Sequence, residues 1–276
     1  MSNCCVGVVG IGRMGKPITR HLSRARFDVC FYDVNPKARV IGAQRMNSCK
    51  ELTARADVIL VIVGTDSQVK DCFTGKEGLL GGPASGKIFV IIGTIHPRTL
   101  KAVRTAVKGK GGKVLDAPVV WGEKGAEKGQ LVSYVCGDRD SFEKSKKIFS
   151  AYSKEVFYLG PSGSGLIAKT ANNHLMWTCR FANFEVLLLA RHYYRGDLRT
   201  LYRALLAGTG SNRCLERLSG VGGDIPWVDK DIGIVLNMSR HKSFQPLFAR
   251  AVKRSLKNRK LIEFNQKGLK WLERRN

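Results

Sequence analysis

The sequence predicts an α/β half built on a mostly parallel, doubly wound sheet, followed by an all-helical half that a long helix joins to it. Over the first 160 residues short apolar runs alternate with amphipathic stretches, which is the pattern of βαβ units. After residue 165 only helical spacing remains. The stretch GPSGSG at 160–165 supplies turn signals between the halves. We therefore predict two domains, 1–162 and 163–276.

Five apolar runs rich in β-branched residues predict buried parallel strands at 5–10, 28–33, 58–63, 88–92 and 114–117. Amphipathic stretches at 17–26, 49–56 and 98–108 predict helices that cover the sheet. In the second half, residues 166–194 contain no proline or glycine and space their apolar side chains at three and four, which predicts one long helix. Further helices are predicted at 197–207, 227–238 and 246–257.

The composition is that of a folded but strongly basic chain. Of 276 residues, 43% are hydrophobic, which is enough to bury a core and argues against disorder throughout. Lysine and arginine number 47 against 22 acidic residues, giving a net charge of +25. Such an excess raises nucleic acid or another anionic surface as a partner. Twelve basic and two acidic residues fall in 240–276, where interspersed apolar residues predict a helix that displays its cations outward.

Several sequence patterns bear on location and on metal binding. No apolar run approaches the roughly 20 residues that cross a bilayer, and the amino terminus has no basic leader, so neither a membrane span nor a secretory signal is predicted. The eight cysteines form no C-x-x-C pair and lie mostly among apolar residues, which favours a reducing, cytoplasmic location. No H-x-x-H or H-E-x-x-H pattern occurs, so no metal site is predicted.

The first predicted strand ends in a glycine-rich loop, G-x-G-x-x-G, and a predicted helix follows at once. The first glycine allows a tight turn, the second lets backbone approach a pyrophosphate, and the third lets the helix pack on the strand. A strand before and a helix after are the context that this motif requires. The loop residues predicted to hold a dinucleotide are Gly10, Ile11, Gly12, Arg13, Met14 and Gly15.

An acidic residue completes the dinucleotide pattern. Asp33 ends the second predicted strand, 18 residues beyond Gly15. A carboxylate at this place accepts hydrogen bonds from the adenosine ribose hydroxyls and repels a 2′-phosphate. The sequence therefore predicts a Rossmann domain that binds NAD. Lys37 and Arg39 follow and could reach a 2′-phosphate, so NADP stays open as the alternative.

Four blocks follow one another in an order and spacing typical of one enzyme family. They read VVGIGRMGKP at 8–17, GTIHP at 93–97, DAPV at 116–119 and GSGLIAKTANN at 163–173. Together they resemble the β-hydroxyacid dehydrogenases, the group that includes 3-hydroxyisobutyrate dehydrogenase and tartronate semialdehyde reductase. The second block matches the family's S-T-I-x-P turn except that glycine replaces serine. The resemblance implies hydride transfer between NAD(H) and a 3-hydroxy acid or its semialdehyde, with a 6-phosphogluconate dehydrogenase-like carboxyl-terminal domain.

The last block contains the predicted proton donor. Lys169 and Asn173 are four residues apart on the predicted long helix, so both project from one face near its amino terminus. A lysine beside the nicotinamide can protonate an alkoxide as hydride arrives, or take a hydroxyl proton in the reverse direction. Asn173 can position the lysine or the substrate oxygen. The match to the family's catalytic block favours this role over that of a surface lysine on a basic protein.

The resemblance implies further contacts in a cleft between the two domains. Val63 and Gly64 stand where the family has Leu-Pro beside the cofactor, and Thr94 ends the next strand on the nicotinamide side. Lys230 is implied to reach the cofactor or substrate side of the cleft. Asp231 is implied to lie at the substrate and to orient the catalytic lysine or its surroundings.

The substrate loop departs from the family pattern. Where the family has Ser-Gly-Gly, inferred to hold the substrate carboxylate, this chain has Val120, Trp121 and Gly122. Loss of the hydroxyl removes a hydrogen bond to a charged group worth about 1–3 kcal/mol, so the usual small hydroxy acids are in question. Trp121 is predicted either to line the substrate pocket or to pack at a subunit interface.

Two other functions stay open at this stage. The family includes a chromatin-associated member that lacks the catalytic lysine, so a basic, non-catalytic protein that binds nucleic acid is one alternative. An imine reductase with a bulky substrate is the other, although that group usually has Asp or Tyr in place of Lys169. The retained lysine and the glycine loop favour a dehydrogenase acting on a small anionic hydroxy acid or semialdehyde. The resemblance also implies a homodimer or homotetramer formed through the helical domains.

Overall fold

The computed structural model describes residues 4–217, 227–239 and 246–258. The chain divides into two compact units, Met1–Lys169 and Thr170–Asn276. All described strands belong to the first unit, and the described part of the second is helical. The predicted fold class, a Rossmann domain followed by an all-helical region, is therefore confirmed.

One nine-stranded sheet organises the first unit. Its strands are β1 (Cys5–Val9), β2 (Asp28–Tyr32), β3 (Gln44–Arg45), β4 (Val58–Val61), β5 (Ile88–Ile91), β6 (Lys113–Asp116), β7 (Val119–Val120), β8 (Leu131–Gly137) and β9 (Ser153–Tyr158). Strands β3-β2-β1-β4-β5-β6 lie in that order and are parallel. Strand β8 pairs antiparallel with β6 and β7, and β9 runs parallel to β8.

Strand β1 shows that the sheet is covered on both faces. Val6 and Val8 belong to one apolar core, whereas Cys5 and Val9 belong to a second. An unbroken apolar run is what a parallel strand between two helical layers requires. The strand order reverses between β1 and β4, and ligands of such sheets bind at the carboxyl ends of the strands at that point. The glycine loop at 10–15 lies at this switch point.

Helices of the first unit cover the sheet and follow its strands. They are α1 (Gly15–Arg24), α2 (Cys49–Arg55), α3 (Asp66–Thr74), α4 (Pro97–Lys108), α5 (Gly122–Glu127) and α6 (Arg139–Ser150), with a 3₁₀ turn at Leu79–Gly81. Side-chain caps are present at the starts of α2, α3 and α4: the Ser48 hydroxyl accepts from the Glu51 amide, the Thr65 hydroxyl from the Gln68 amide, and His96 Nδ1 from the Arg98 amide.

The long helix α7 (Ser164–Tyr193) begins in the first unit and continues into the second. It is followed by α8 (Leu198–Ala207), α9 (Arg213–Glu216), α10 (Val228–Ser239) and α11 (Leu247–Ser255). The second unit has its own apolar core, which includes Trp177, Phe184, Tyr202, Ile232 and Val252.

The predicted elements agree with the structure to within two residues at each end. Not predicted were β3, α3 and α9, and the segment from β7 to β9 with its helices α5 and α6. Most of the predicted basic tail, 240–245 and 259–276, lies outside the described residues. Among the helices that the structure describes, none is both long and apolar enough to cross a membrane.

Candidate active site

The glycine loop turns tightly between β1 and α1. Gly10 has φ +93°, and a Cβ there would lie 2.4 Å from the Ile62 carbonyl oxygen. Its amide donates to the Tyr32 carbonyl oxygen at 2.9 Å. A Cβ on Gly15 would lie 1.8 Å from the Gly10 carbonyl oxygen. Helix α1 can therefore start against the strand only because residue 15 is glycine.

Gly12 is the glycine of the loop that the protein's own packing does not require. A Cβ built on Gly12 meets no protein atom within 4 Å. Met14, the residue just before α1, provides no side-chain cap, and the first turn of α1 contains no acidic residue. A helix amino terminus in this state attracts an anion. The backbone of residues 11–15 therefore fits the pyrophosphate of a dinucleotide.

The Asp33 carboxylate reaches the glycine loop. Its Oδ2 accepts from the Ile11 amide at 2.6 Å, and its Oδ1 accepts from the Asn35 amide at 2.7 Å. The guanidinium of Arg45 donates to the Asp33 carbonyl oxygen at 2.7 Å. Arg39, which could have met a 2′-phosphate, donates to backbone carbonyls of its own loop. These contacts place a fixed negative charge where the ribose of the adenosine is expected.

The ends of β4 and β5 come close together. A Cβ on Gly93 would lie 2.6 Å from the Val63 carbonyl oxygen, so this backbone path has no room for the family's serine. The Gly64 amide donates to Gln68 Oε1 at 2.9 Å. Thr94 follows Gly93 and is partly buried. Because both segments follow parallel strands beside the switch point, they lie at the edge where a cofactor binds.

The substrate loop follows a path that glycine usually supplies. Val119 and Val120 are buried and pair with β8. Trp121 has φ +90° and Gly122 has φ +59°, so two successive residues are left-handed. The Trp121 indole packs against the apolar core of its own unit, and the Lys154 ammonium lies 4.6 Å from the ring centroid. These two contacts of Trp121 lie within the first unit.

Lys169 touches the substrate loop directly. Its Nζ donates to the Val119 carbonyl oxygen at 2.7 Å. Asp116, three residues before Val119, is fully buried. Its carboxylate accepts from the Ser162 hydroxyl at 2.8 Å and from the Gly163 amide at 3.0 Å. Burial raises the pKa of Asp116 above its ordinary value, while these hydrogen bonds act in the opposite direction. The sequence analysis placed this residue in the DAPV block but predicted no role for its carboxylate.

The remaining predicted site residues lie in the second unit. Asn173 is buried, and its Oδ1 accepts from the Asn172 side chain at 3.2 Å. Asp231 Oδ2 accepts from the Trp177 indole N–H at 3.0 Å. Lys230 precedes it on α10 and is partly buried. Within the first unit, the structure brings Asp33 to the glycine loop and Lys169 to the substrate loop, while Val63 and Gly64 lie beside the segment that leads to Thr94.

Comparison with known proteins agrees with this geometry. The family model for the NAD binding domain of 6-phosphogluconate dehydrogenase matches residues 5–160. The 2-hydroxy-3-oxopropionate reductase of Escherichia coli is 30% identical over 246 residues, covering 85% of this chain and 84% of the reductase. This chain belongs to the β-hydroxyacid dehydrogenase family. It is therefore an NAD(H)-dependent oxidoreductase, as the sequence predicted.

A further relative and two solved structures are also similar to this chain. An NAD-dependent L-serine dehydrogenase of Pseudomonas aeruginosa is 29% identical over 216 residues, covering 76% of this β-hydroxyacid dehydrogenase and 72% of that protein. The structure of a Mycobacterium tuberculosis 3-hydroxyisobutyrate dehydrogenase with L-serine has a TM-score of 0.80 at 22% identity, covering 92% and 94% of the two chains, which shows the shared fold. An imine reductase from Pseudomonas sp. shares the fold at 16% identity and a TM-score of 0.64, covering 93% and 95%. The nucleic-acid and imine alternatives gain no support from these relatives.

Proposed function

We propose that this enzyme interconverts a 3-hydroxy acid and its semialdehyde, with Lys169 as the general acid and base. The observation that carries this is the 2.7 Å hydrogen bond from Lys169 Nζ to the Val119 carbonyl oxygen. It holds the ammonium at the segment that resembles the family's substrate loop. Relatives named for hydroxy acids and a semialdehyde support the substrate class.

The proposed chemistry assigns one proton transfer to Lys169. The bound nicotinamide supplies or accepts the hydride. During reduction, the Lys169 ammonium gives a proton to the oxygen that becomes the hydroxyl; during oxidation, the neutral amine takes that proton back. The Val119 carbonyl fixes the direction of the ammonium, because one of its N–H groups is committed there.

Neighbouring residues are proposed to bind rather than to transfer protons. Asn173, one turn beyond Lys169 on α7, positions the substrate oxygen. Lys230 adds positive charge that favours an anionic substrate. Asp231 orients the surroundings of the site through the Trp177 indole that it accepts from. In the substrate loop, residues 120–122 hold the substrate through backbone, since Val120 offers no hydroxyl.

A substrate panel with two variants tests the proposal. Hydroxy acids and semialdehydes are assayed in both directions by nicotinamide absorbance, with NAD(H) and NADP(H). We expect Lys169→Ala to lower kcat by about 10²–10⁴-fold, the usual contribution of a general acid or base. The dissociation constant for NADH should stay within about two-fold, because Lys169 is not in the glycine loop. Lys144→Ala, an exposed lysine on α6, is the control. Turnover of Lys169→Ala near that of the control would overturn the assignment.

The cofactor preference is proposed to depend on Asp33. We expect kcat/KM to favour NAD over NADP by at least about 10-fold, because a 2′-phosphate would face the Asp33 carboxylate. Asp33→Ser should reduce that ratio mainly by raising KM for NAD. A wild-type preference for NADP would contradict this part of the proposal.

The helical domain, residues 163–276, is proposed to form a homodimer or homotetramer. Exposed apolar side chains on the described helices support this: Leu175, Leu189, Tyr193, Leu247 and Phe248. Sedimentation equilibrium tests it, and a monomer at micromolar concentration would contradict it.

A cytoplasmic location is proposed from the eight free cysteines, which suit a reducing compartment.

A further inference from the structure

Asp116 is a buried carboxylate at the start of α7. Its side chain has no solvent exposure. Oδ1 accepts from the Ser162 hydroxyl at 2.8 Å, and the Gly163 amide lies 3.0 and 3.1 Å from the two oxygens. Asp116 thus accepts from the Gly163 amide, one of the backbone donors that the start of a helix leaves without an intrahelical partner.

The same short segment contacts α7 a second time. Three residues after Asp116, the Val119 carbonyl oxygen accepts from Lys169 Nζ at 2.7 Å. The carboxylate therefore holds the backbone at Gly163, while the carbonyl holds the ammonium of Lys169, about one and a half turns further along the helix. Both contacts lie within the first unit.

The packing around Gly165 leaves little freedom for the helix to shift. A Cβ on Gly165 would lie 2.8 Å from the Tyr134 carbonyl oxygen, 3.0 Å from Asp116 Oδ2 and 3.1 Å from Pro118 Cδ. The backbone of α7 therefore packs directly on the carboxylate. We therefore expect the loss of the Asp116 carboxylate to loosen the helical turn that leads to Lys169.

Burying a carboxylate costs free energy unless its oxygens are satisfied. At Asp116 this is achieved by hydrogen bonds from Ser162 and Gly163, and by the positive end of α7. An apolar residue would fill the space without desolvating a charge. A carboxylate at this place therefore points to a role in positioning α7 rather than in filling space.

We propose that Asp116 is a positioning residue that sets the depth and direction of Lys169 by anchoring the first turn of α7 to the substrate loop. The inference rests on the proposed function of Lys169. It differs from that function, because Asp116 itself meets neither the substrate nor the reacting proton.

The test is a double-mutant cycle between Asp116→Asn and Lys169→Ala. In the wild-type background we expect Asp116→Asn to lower kcat by about 10- to 100-fold, with KM and the NADH dissociation constant within about three-fold. In the Lys169→Ala background the same change should lower the residual kcat by less than about three-fold, because its effect passes through the lysine. Asp57→Asn is the matched control: Asp57 accepts from the Cys5 amide at the opposite end of the sheet from α7.

The outcomes separate the inference from the proposed function. Equal loss of kcat in both backgrounds would overturn the positioning role, as would wild-type turnover in Asp116→Asn. Near-normal turnover in Lys169→Ala would instead overturn the proposed function. If Asp116→Asn does not fold, Ser162→Ala removes one donor and should lower kcat by about two- to five-fold.

Amide hydrogen exchange provides a readout that does not depend on activity. We expect Asp116→Asn or Ser162→Ala to speed exchange at residues 163–169 by at least about 10-fold, with β1 and α1 unchanged. Exchange that stays at the wild-type rate in 163–169 would show that the carboxylate does not anchor the helix.

Discussion

The guanidinium of Arg13 lies 2.9 Å from the carboxylate of Glu123. Arg13 belongs to the glycine loop, and Glu123 lies in α5, directly after the left-handed pair Trp121 and Gly122. The glycine loop, proposed to bind the cofactor, is therefore joined by an ion pair to the helix that follows the proposed substrate loop. Both side chains are at least half exposed, so the pair contributes little to the free energy of unfolding. We expect the pair to draw part of the Arg13 charge away from the proposed phosphate site.

We expect Glu123→Gln to tighten NADH binding by about two- to five-fold at low salt, because Arg13 is then released towards the pyrophosphate. The difference should vanish near about 0.5 M salt as the charges are screened. Fluorescence titration with NADH measures both. Glu127→Gln is the matched control, since it removes the same charge from the same helix but pairs with Arg20. Equal tightening in both variants would contradict the role given to Arg13.

Alanine substitutions at two glycines of the glycine loop should have different effects: one should weaken cofactor binding and the other should lower the stability of the fold. Gly12→Ala is expected to change the free energy of unfolding by less than about 1 kcal/mol, because its Cβ meets no protein atom, yet to weaken NADH binding at least about 10-fold. Gly15→Ala should destabilise the domain by more than about 3 kcal/mol, because its Cβ falls 1.8 Å from the Gly10 carbonyl oxygen. Urea unfolding and NADH titration of the two variants decide this. Tight NADH binding by Gly12→Ala would place the pyrophosphate elsewhere.

At position 121 a glycine variant should be more stable than an alanine variant, which is the reverse of the usual order. Both substitutions remove the indole, but alanine keeps the strain of φ +90° and glycine does not. We expect Trp121→Gly to be more stable than Trp121→Ala by about 1 kcal/mol in urea unfolding. At Lys144, inside α6, the alanine variant should be the more stable by about 1 kcal/mol. The usual ranking at both positions would mean that residue 121 does not adopt a left-handed conformation in solution.

Trp177 and Asp231 should behave as one unit in the helical half. The indole N–H donates to Asp231 Oδ2 at 3.0 Å, and Trp177 is buried. Trp177→Phe is expected to lower the free energy of unfolding by about 1–3 kcal/mol, because the carboxylate loses its donor. Asp231→Ala should cost a similar amount, and the double variant should cost less than the sum by about 1 kcal/mol. Strict additivity in thermal or urea unfolding would show that the bond is not formed in solution.

The elements that could be predicted are those whose periodicity is local. Strand β4 is four consecutive apolar residues, and the start of α1 is fixed by the glycine loop. Strand β9 was missed because only Ser153 among its six residues is buried, while the charged residues Lys154 and Glu155 that follow it are exposed. Helix α5 was missed because its first residue follows a left-handed tryptophan, a start that no sequence rule covers.

In the candidate site, too, contacts tied to a local motif could be predicted, whereas contacts between distant parts of the chain could not. The contact between Asp33 and Ile11 could be anticipated, because the glycine motif and the acidic strand end define each other. The role of Asp116 could not, because Ser162 and Gly163 are 46 and 47 residues away along the chain. Likewise, only the packing of α7 and α10 reveals that Asp231 accepts from Trp177, 54 residues away.

The close approach of Gly93 to the Val63 carbonyl has a consequence for how this chain can change. A serine at 93, as in the family pattern, would place its Cβ 2.6 Å from that oxygen. Gly93→Ser alone is therefore expected to be tolerated only if the end of β4 also moves. Substitutions at the ends of β4 and β5 should then have non-additive effects. A chimera that takes its β4 end from a relative with Leu-Pro at 63–64 should take the β5 end from the same parent.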